Sequence, residues 1–111
     1  MPSVAVVVNN NTEFVDMVPP VISILSPISG TTVRDSTRIR IFANDNRGIS
    51  SVVVTIDDSL EFTLTDSPYI SIWGTYEYLN NSNHIISAKA IDSSGNETNA
   101  QSIYVIVDNY Y

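Results

Sequence analysis

The 111 residues predict an all-β fold, a two-layer sandwich of about seven antiparallel strands with an N-terminal extension. Three observations carry that prediction. Short segments alternate apolar and polar residues with a period of two, and no window shows a 3.6-residue period. Gly, Pro, Asp and Asn interrupt these segments at short intervals. Val, Ile, Thr and Tyr are abundant while Leu, Ala and Lys are scarce. The first group packs well on a pleated surface and the second favours helices.

The elements follow in order. Residues 21–25 form the first strand, closed by Ser26-Pro27-Ile28-Ser29-Gly30. Residues 37–43 place Ile39, Ile41 and Ala43 on one face and Arg38, Arg40 and Phe42 on the other. Asp45-Asn46-Arg47-Gly48 is a turn, and Val52, Val54 and Ile56 share one face of the strand after it. Asp57-Asp58-Ser59 turns into residues 60–65, where Leu60, Phe62 and Leu64 alternate with Glu61 and Thr63. Residues 69–73 form the next strand after Asp66-Ser67-Pro68. Residues 84–91 place Ile86, Ala88 and Ala90 on one face, Asp92-Ser93-Ser94-Gly95-Asn96 turns, and residues 101–107 place Ile103, Val105 and Val107 inward. The expected core is Ile39, Ile41, Val52, Val54, Ile56, Ile86, Ala88, Val105 and Val107.

Residues 1–18 read differently from residues 19–111 and are taken as an N-terminal arm preceding the sandwich domain. Residues 4–8 are five apolar residues without alternation, Asn9-Asn10-Asn11-Thr12 is polar, and Pro19-Pro20 stops any strand ladder because proline has no N–H to donate. A continuous apolar strand calls for burial on both faces. The expectation is that Val4, Val6, Val7 and Val8 add to a sheet edge in a neighbouring subunit or host particle; the alternative is that the arm pairs within its own chain and extends the sandwich.

From Pro19 to Val107 the chain resembles the bacterial immunoglobulin-like domains, sandwiches of the fibronectin-III and cadherin kind found in bacterial surface proteins and in phage structural proteins. The matching pieces are Pro19-Pro20-Val21-Ile22-Ser23-Ile24 with Ser26-Pro27 and Gly30; Asp45-Asn46-Arg47-Gly48-Ile49 before a Val-rich strand ending in Asp57; Ser67-Pro68-Tyr69 ahead of Trp73; and Ser82-Asn83-His84 leading to Ala88-Lys89-Ala90-Ile91-Asp92-Ser93-Ser94-Gly95-Asn96. Their order and spacing carry the resemblance; each piece alone is common. The segment between Trp73 and His84 is one residue longer than the usual pattern, which leaves the register of residues 69–73 open, since a one-residue slip turns every side chain to the other face. The resemblance implies an immunoglobulin-like fold and a structural or adhesive role with no shared catalytic residues.

Composition excludes several functions. With no cysteine, disulfides, zinc–thiolate sites and cysteine nucleophiles are ruled out. The formal charge is −7, and the basic residues cluster only at Arg34, Arg38 and Arg40, too few to bind a phosphate backbone or an anionic membrane surface. No stretch reaches the length of a membrane span, and the start lacks the basic region and apolar core of a signal peptide. The chain is therefore expected to reach its site without a secretion signal or to belong to something larger.

The Asp-rich turns are weighed first as turn chemistry, with Asp45, Asp57 and Asp92 as the lesser alternative of calcium ligands. His84 is the sole histidine and is read as structural, so no enzyme activity and no cofactor are expected. Trp73 and the tyrosines are read as core and corner residues before a sugar platform. If the core residues point inward, Val53, Ile85, Ile91, Tyr104 and Ile106 point outward; they are the candidate protein-interaction residues of the sandwich or, equally, the face over which the N-terminal arm folds back. The expected function is that of a small subunit decorating or cementing a large assembly such as a phage virion, placed at the virion surface. The alternative is a spacer or adhesin module of a bacterial cell-surface or secreted protein.

Overall fold

The computed structural model describes residues 18–109, which contain nine strands and no helix. They are β1 (Val21–Ser26), β2 (Thr32–Val33), β3 (Ser36–Asn44), β4 (Ile49–Ile56), β5 (Leu60–Leu64), β6 (Tyr69–Gly74), β7 (Ser82–Asp92), β8 (Glu97–Asn99) and β9 (Ile103–Val107). The smaller sheet has the order β1-β3-β6, and the larger has the order β2-β9-β7-β4-β5, with β8 also paired to β7. All pairings are antiparallel except the short β2–β9 ladder, which is parallel. The arm residues 1–17, Val4, Val6, Val7 and Val8 among them, lie outside the described residues.

The seven expected strands are present with ends within three residues of those read from the pattern. The two additional ones, β2 and β8, are two and three residues long. Segments that short show no alternation, and they become strands only because β9 and β7 come alongside with unpaired backbone groups.

Alternation sets the core. Val52, Val54 and Ile56 on β4 pair with Ala90, Ala88 and Ile86 on β7. Val105 and Val107 on β9 continue that inner face, and Ile39 and Ile41 on β3 meet it from the other sheet. All nine residues expected in the core are buried, most of them completely. Ile103, Leu64 and Phe62 pack at its margin, while Leu60 is exposed.

The open register of β6 is resolved by pairing. Ser71 lies opposite Ile39 and Trp73 opposite Thr37, so Tyr69, Ser71 and Trp73 face inward and Ile70 and Ile72 face outward. Trp73 is the largest fully buried side chain. Its ring stands edge-on to Tyr78 and His84, with centroids 5.4 and 5.7 Å away.

Shortening a core side chain removes packing that the surrounding sheets recover only in part. Val54→Ala and Ile86→Ala should each lower the unfolding free energy by about 1–4 kcal/mol in urea titrations. Thr63→Ala, on an exposed position of β5, should change it by no more than about 0.5 kcal/mol.

Candidate interaction surfaces

The outer face of the larger sheet carries the five interaction residues expected within the sandwich. Ile85 and Tyr104 are directly opposed across β7 and β9 and are 47% and 48% exposed. Ile106, half-buried, is the next outward residue of β9 and faces Asn83 and Thr32. These three form one small apolar group. Val53 lies between Lys89 and Thr63, and Ile91 between Ser51 and Glu97, so polar rows separate both from that group. Lys89 and Glu97 make an ion pair at 3.6 Å across this face. A shallow depression of about 210 Å³ beside Val53 is lined mainly by Thr55, Asp58, Glu61, Ser87, Lys89 and Asn99. The five are thus on one face without forming one continuous apolar patch.

The loop after β1 leans on the group. Gly30 N–H donates to Tyr104 O at 2.8 Å, and a Cβ on Gly30 would meet Tyr104 Oη at 3.2 Å while the backbone holds a φ of +90°. Glycine is required there on both counts.

The three aspartates weighed as calcium ligands do not converge. Asp45 and Asp92 sit at the end of the sandwich where β1 starts, and Asp57 sits at the other end of β4. Asp92 is buried and its Oδ1 accepts from the N–H groups of Ser94 and Asn96, while its Oδ2 accepts from Asn96 Nδ2. Asp45 Oδ2 accepts from Arg47 N–H at 2.9 Å, and its Oδ1 is shielded and has no hydrogen bond. These are local turn contacts of Asx type. Among the described residues no group of three or more potential metal ligands comes together.

Asp57 has a further role. Asp57 and Asp58 both have positive φ, 55° and 58°, and Ser59 N–H bonds to Ile56 O at 3.0 Å, which makes a two-residue hairpin turn between β4 and β5. A left-handed conformation is costly for a residue with a Cβ. The Asp57 carboxylate offsets that cost by accepting from Ile85 N–H at 2.9 Å and from His84 Nδ1.

His84 Nε2 in turn lies 2.7 Å from Ser82 Oγ, so a serine, a histidine and an aspartate are linked in a row. These are the residue types of a hydrolytic triad, but they stand here in a packed, structural setting. Ser82 Oγ is hydrogen-bonded to the backbone carbonyl Leu79 O as well as to the imidazole, so its one proton is shared between the two. The ring is also buried, stacked edge-on against Tyr78 at 4.5 Å and against Trp73. The row ties the β4–β5 hairpin to the start of β7. Sequence reading placed His84 in a structural role but had no means of pairing it with Asp57, which is 27 positions away.

The sequence matches the model of the bacterial Ig domain over residues 20–88. The chain belongs to the bacterial Ig domain family. Among solved structures it is similar to the fibronectin(III)-like modules of Clostridium thermocellum CbhA, at 25% identity and a TM-score of 0.68, over 84% of this chain and 48% of that one. It is also similar in fold to the endo-beta-1,4-mannanase from Thermotoga petrophila, at 17% identity and a TM-score of 0.69, over 86% of this chain and 21% of that one. The chain therefore spans about half of the first and a fifth of the second. No curated protein matches it. Domains of this family are generally non-catalytic, commonly mediate protein interactions and typically stand outside the cell or at its surface.

Of the aromatic residues weighed for a sugar platform, Trp73 and Tyr69 are buried in this Ig domain, while Tyr76 and Tyr104 are exposed on separate parts of it. A more apolar surface lies elsewhere, on the outer face of the smaller sheet. There Val21, Leu25, Phe42 and Ile72 are exposed around Arg38 and Arg40. The alternation of β3 already placed Arg38, Arg40 and Phe42 together; what was missing was the register of β6, which brings Ile70 and Ile72 beside the arginines.

Three outcomes follow for the domain. Thermal unfolding should have the same midpoint with and without a chelator of divalent cations, because the Asp turns are satisfied mainly by backbone N–H groups; a fall of many degrees on chelation would show that they hold a cation. His84→Ala should cost about 2–4 kcal/mol in denaturant unfolding, by leaving a cavity and an unmet Asp57 carboxylate. Ser82→Ala should cost about 1 kcal/mol.

Proposed function

We propose that this Ig domain is a non-catalytic spacer and docking module of a bacterial cell-surface or secreted protein. The observation that carries this reading is the position of its two ends. Val18 lies at one end of the sandwich, where its carbonyl is 3.5 Å from Asn96 Nδ2. Asn109 lies at the other end, because β9 runs away from the end at which β1 begins. A rigid body entered at one end and left at the other holds whatever is attached to its two ends apart. The eight residues of β4 correspond to a separation of about 26 Å.

The exit is firmly held, which suits that role. Asn109 Oδ1 accepts from Asp35 N–H at 2.8 Å and from Thr75 Oγ1 at 3.2 Å. Asn109 Nδ2 donates to Thr75 O at 2.7 Å, and its backbone N–H donates to Asn80 Oδ1 at 2.8 Å. Asn109 thus joins the 34–35 and 75–81 loops at the point where the chain leaves. In both solved relatives the matching part is a fraction of a longer chain, which supports an accessory place for this domain as well. The partners are proteins, met through the exposed sheet faces.

The virion-subunit alternative draws on the N-terminal arm, whose residues 1–17 lie outside the described residues. Two experiments separate the settings. Antibody against the domain should label intact cells or the medium, and replacing the domain by an unrelated sandwich of equal length should preserve the display of its neighbours. Co-sedimentation with purified phage particles, with no labelling of cells, would overturn the surface-module reading in favour of the virion subunit.

A further inference from the structure

One long side of the sandwich is unfinished. β6 is the last strand of the smaller sheet and β5 the last strand of the larger, and among the described residues neither has an outer neighbour. In an edge strand every second residue turns its N–H and C=O outward with nothing to meet them. The inward side chains tell the same story. On β4, Val52, Val54 and Ile56 are fully buried, whereas on β5, Phe62 and Leu64 are only half-buried and Leu60 is exposed. Outward from the same lane, Ile72 is 52% exposed. Ser71 Oγ and Trp73 Nε1, both buried and without a hydrogen-bond partner, belong to the strand that lacks its neighbour. A cavity of about 530 Å³ bordered by Leu60, Gly74 and Tyr78 opens the lane at the end where β6 finishes.

We propose that this lane along β6 receives residues 4–8 of a second copy of the chain as an added strand. A strand there would turn one face onto Leu60, Phe62 and Leu64 and set the other beside Ile70 and Ile72. It therefore needs apolar residues at every position rather than at alternate ones, and the run Val4, Ala5, Val6, Val7, Val8 has that pattern. Main-chain bonds to β6 supply affinity and the valines supply the fit.

The geometry favours another copy over the chain's own arm. Val18 lies at the end where β6 begins, and there the 65–68 connection crosses from β5 to β6 and closes the lane. The lane is open at the opposite end, from which a second copy placed end to end would approach. Residues 9–17 span up to ~30 Å when extended, enough to bridge two abutting sandwiches. Such a head-to-tail contact does not close on itself and gives linear assemblies. The inference goes beyond the module reading and stands or falls separately, since self-association is measured on the isolated chain.

The test uses the full chain, which has no cysteine of its own. Chains carrying only Val6→Cys are mixed with chains carrying only Ile72→Cys and oxidised. Cross-linked pairs joining one chain of each kind are expected. In sedimentation the unmodified chain should gain mass with concentration, and Val6→Lys should weaken that association at least tenfold while leaving the unfolding midpoint of the sandwich unchanged. A chain carrying both substitutions that closes into a monomer-sized disulfide, with no cross-linking in the mixture, would place the chain's own arm in the lane and overturn the proposal. A monomer at all concentrations with no cross-link of either kind would overturn it as well.

Discussion

The packing of β4 against β7 governs the rest of the molecule. Six consecutive pairs of residues are in register between these strands, from Ser51 and Ile91 to Ile56 and Ile86, and the register shifts before them, at Ile49 and Asp92. Because side chains alternate, that single ladder turns Val52, Val54, Ile56, Ile86, Ala88 and Ala90 to one side together. A continuous apolar face of that kind has no stable place in water, and it draws the smaller sheet over it with Ile39, Ile41 and Trp73. Slipping β4 along β7 by one residue would turn Val52, Val54 and Ile56 outward together. The two alanines have a part in this. Opposite Val52 and Val54 they leave room across the sheet for the bulk of the facing side chains.

Polar residues act at the two ends, where the core cannot. At one end, Asp92 folds its own turn over its carboxylate, and Ser93 N–H reaches Gly48 O at 3.1 Å to join that turn to the one before β4. At the other, Asp57 holds a tight hairpin and anchors His84, while Asn109 gathers the loops around Thr75 and Asp35. Apart from the link between Asp57 and His84, these contacts meet backbone groups that the sheets leave unpaired. The acidic character of the chain is in part the consequence of this use of carboxylates as turn caps. The same chemistry that looks like a cation site in a list of residues is spent on the fold.

The surfaces left over are uneven in character. The outer face of the larger sheet is mostly polar, with its apolar residues divided between a small group at Ile85 and Tyr104 and isolated positions. The smaller sheet has exposed apolar residues around two arginines in an otherwise acidic molecule. Its edge at β6 has no strand beside it among the described residues.

The sequence by itself determined the class of fold, the seven main strands and the nine core residues. Period-two alternation is a local property, and in Val52, Val54 and Ile56 or Ile86, Ala88 and Ala90 nothing competes with it. It also determined the turns, because Asp, Asn, Gly and Pro act on their own backbone. Four matters waited for tertiary structure. Residues 69–73 are apolar on both faces, so only pairing with β3 decided that Trp73 goes in and Ile72 out. The strands β2 and β8 are too short to declare themselves without a partner. The outward apolar residues were read as one surface, but Thr55 and Ser87 form a polar row between Val53 and the pair Ile85 and Tyr104, and Ser87 and Lys89 separate Ile91 from that pair along β7. The link from Ser82 through His84 to Asp57 joins residues far apart in the chain, and adjacency of that kind is created only when β7 is laid beside β4.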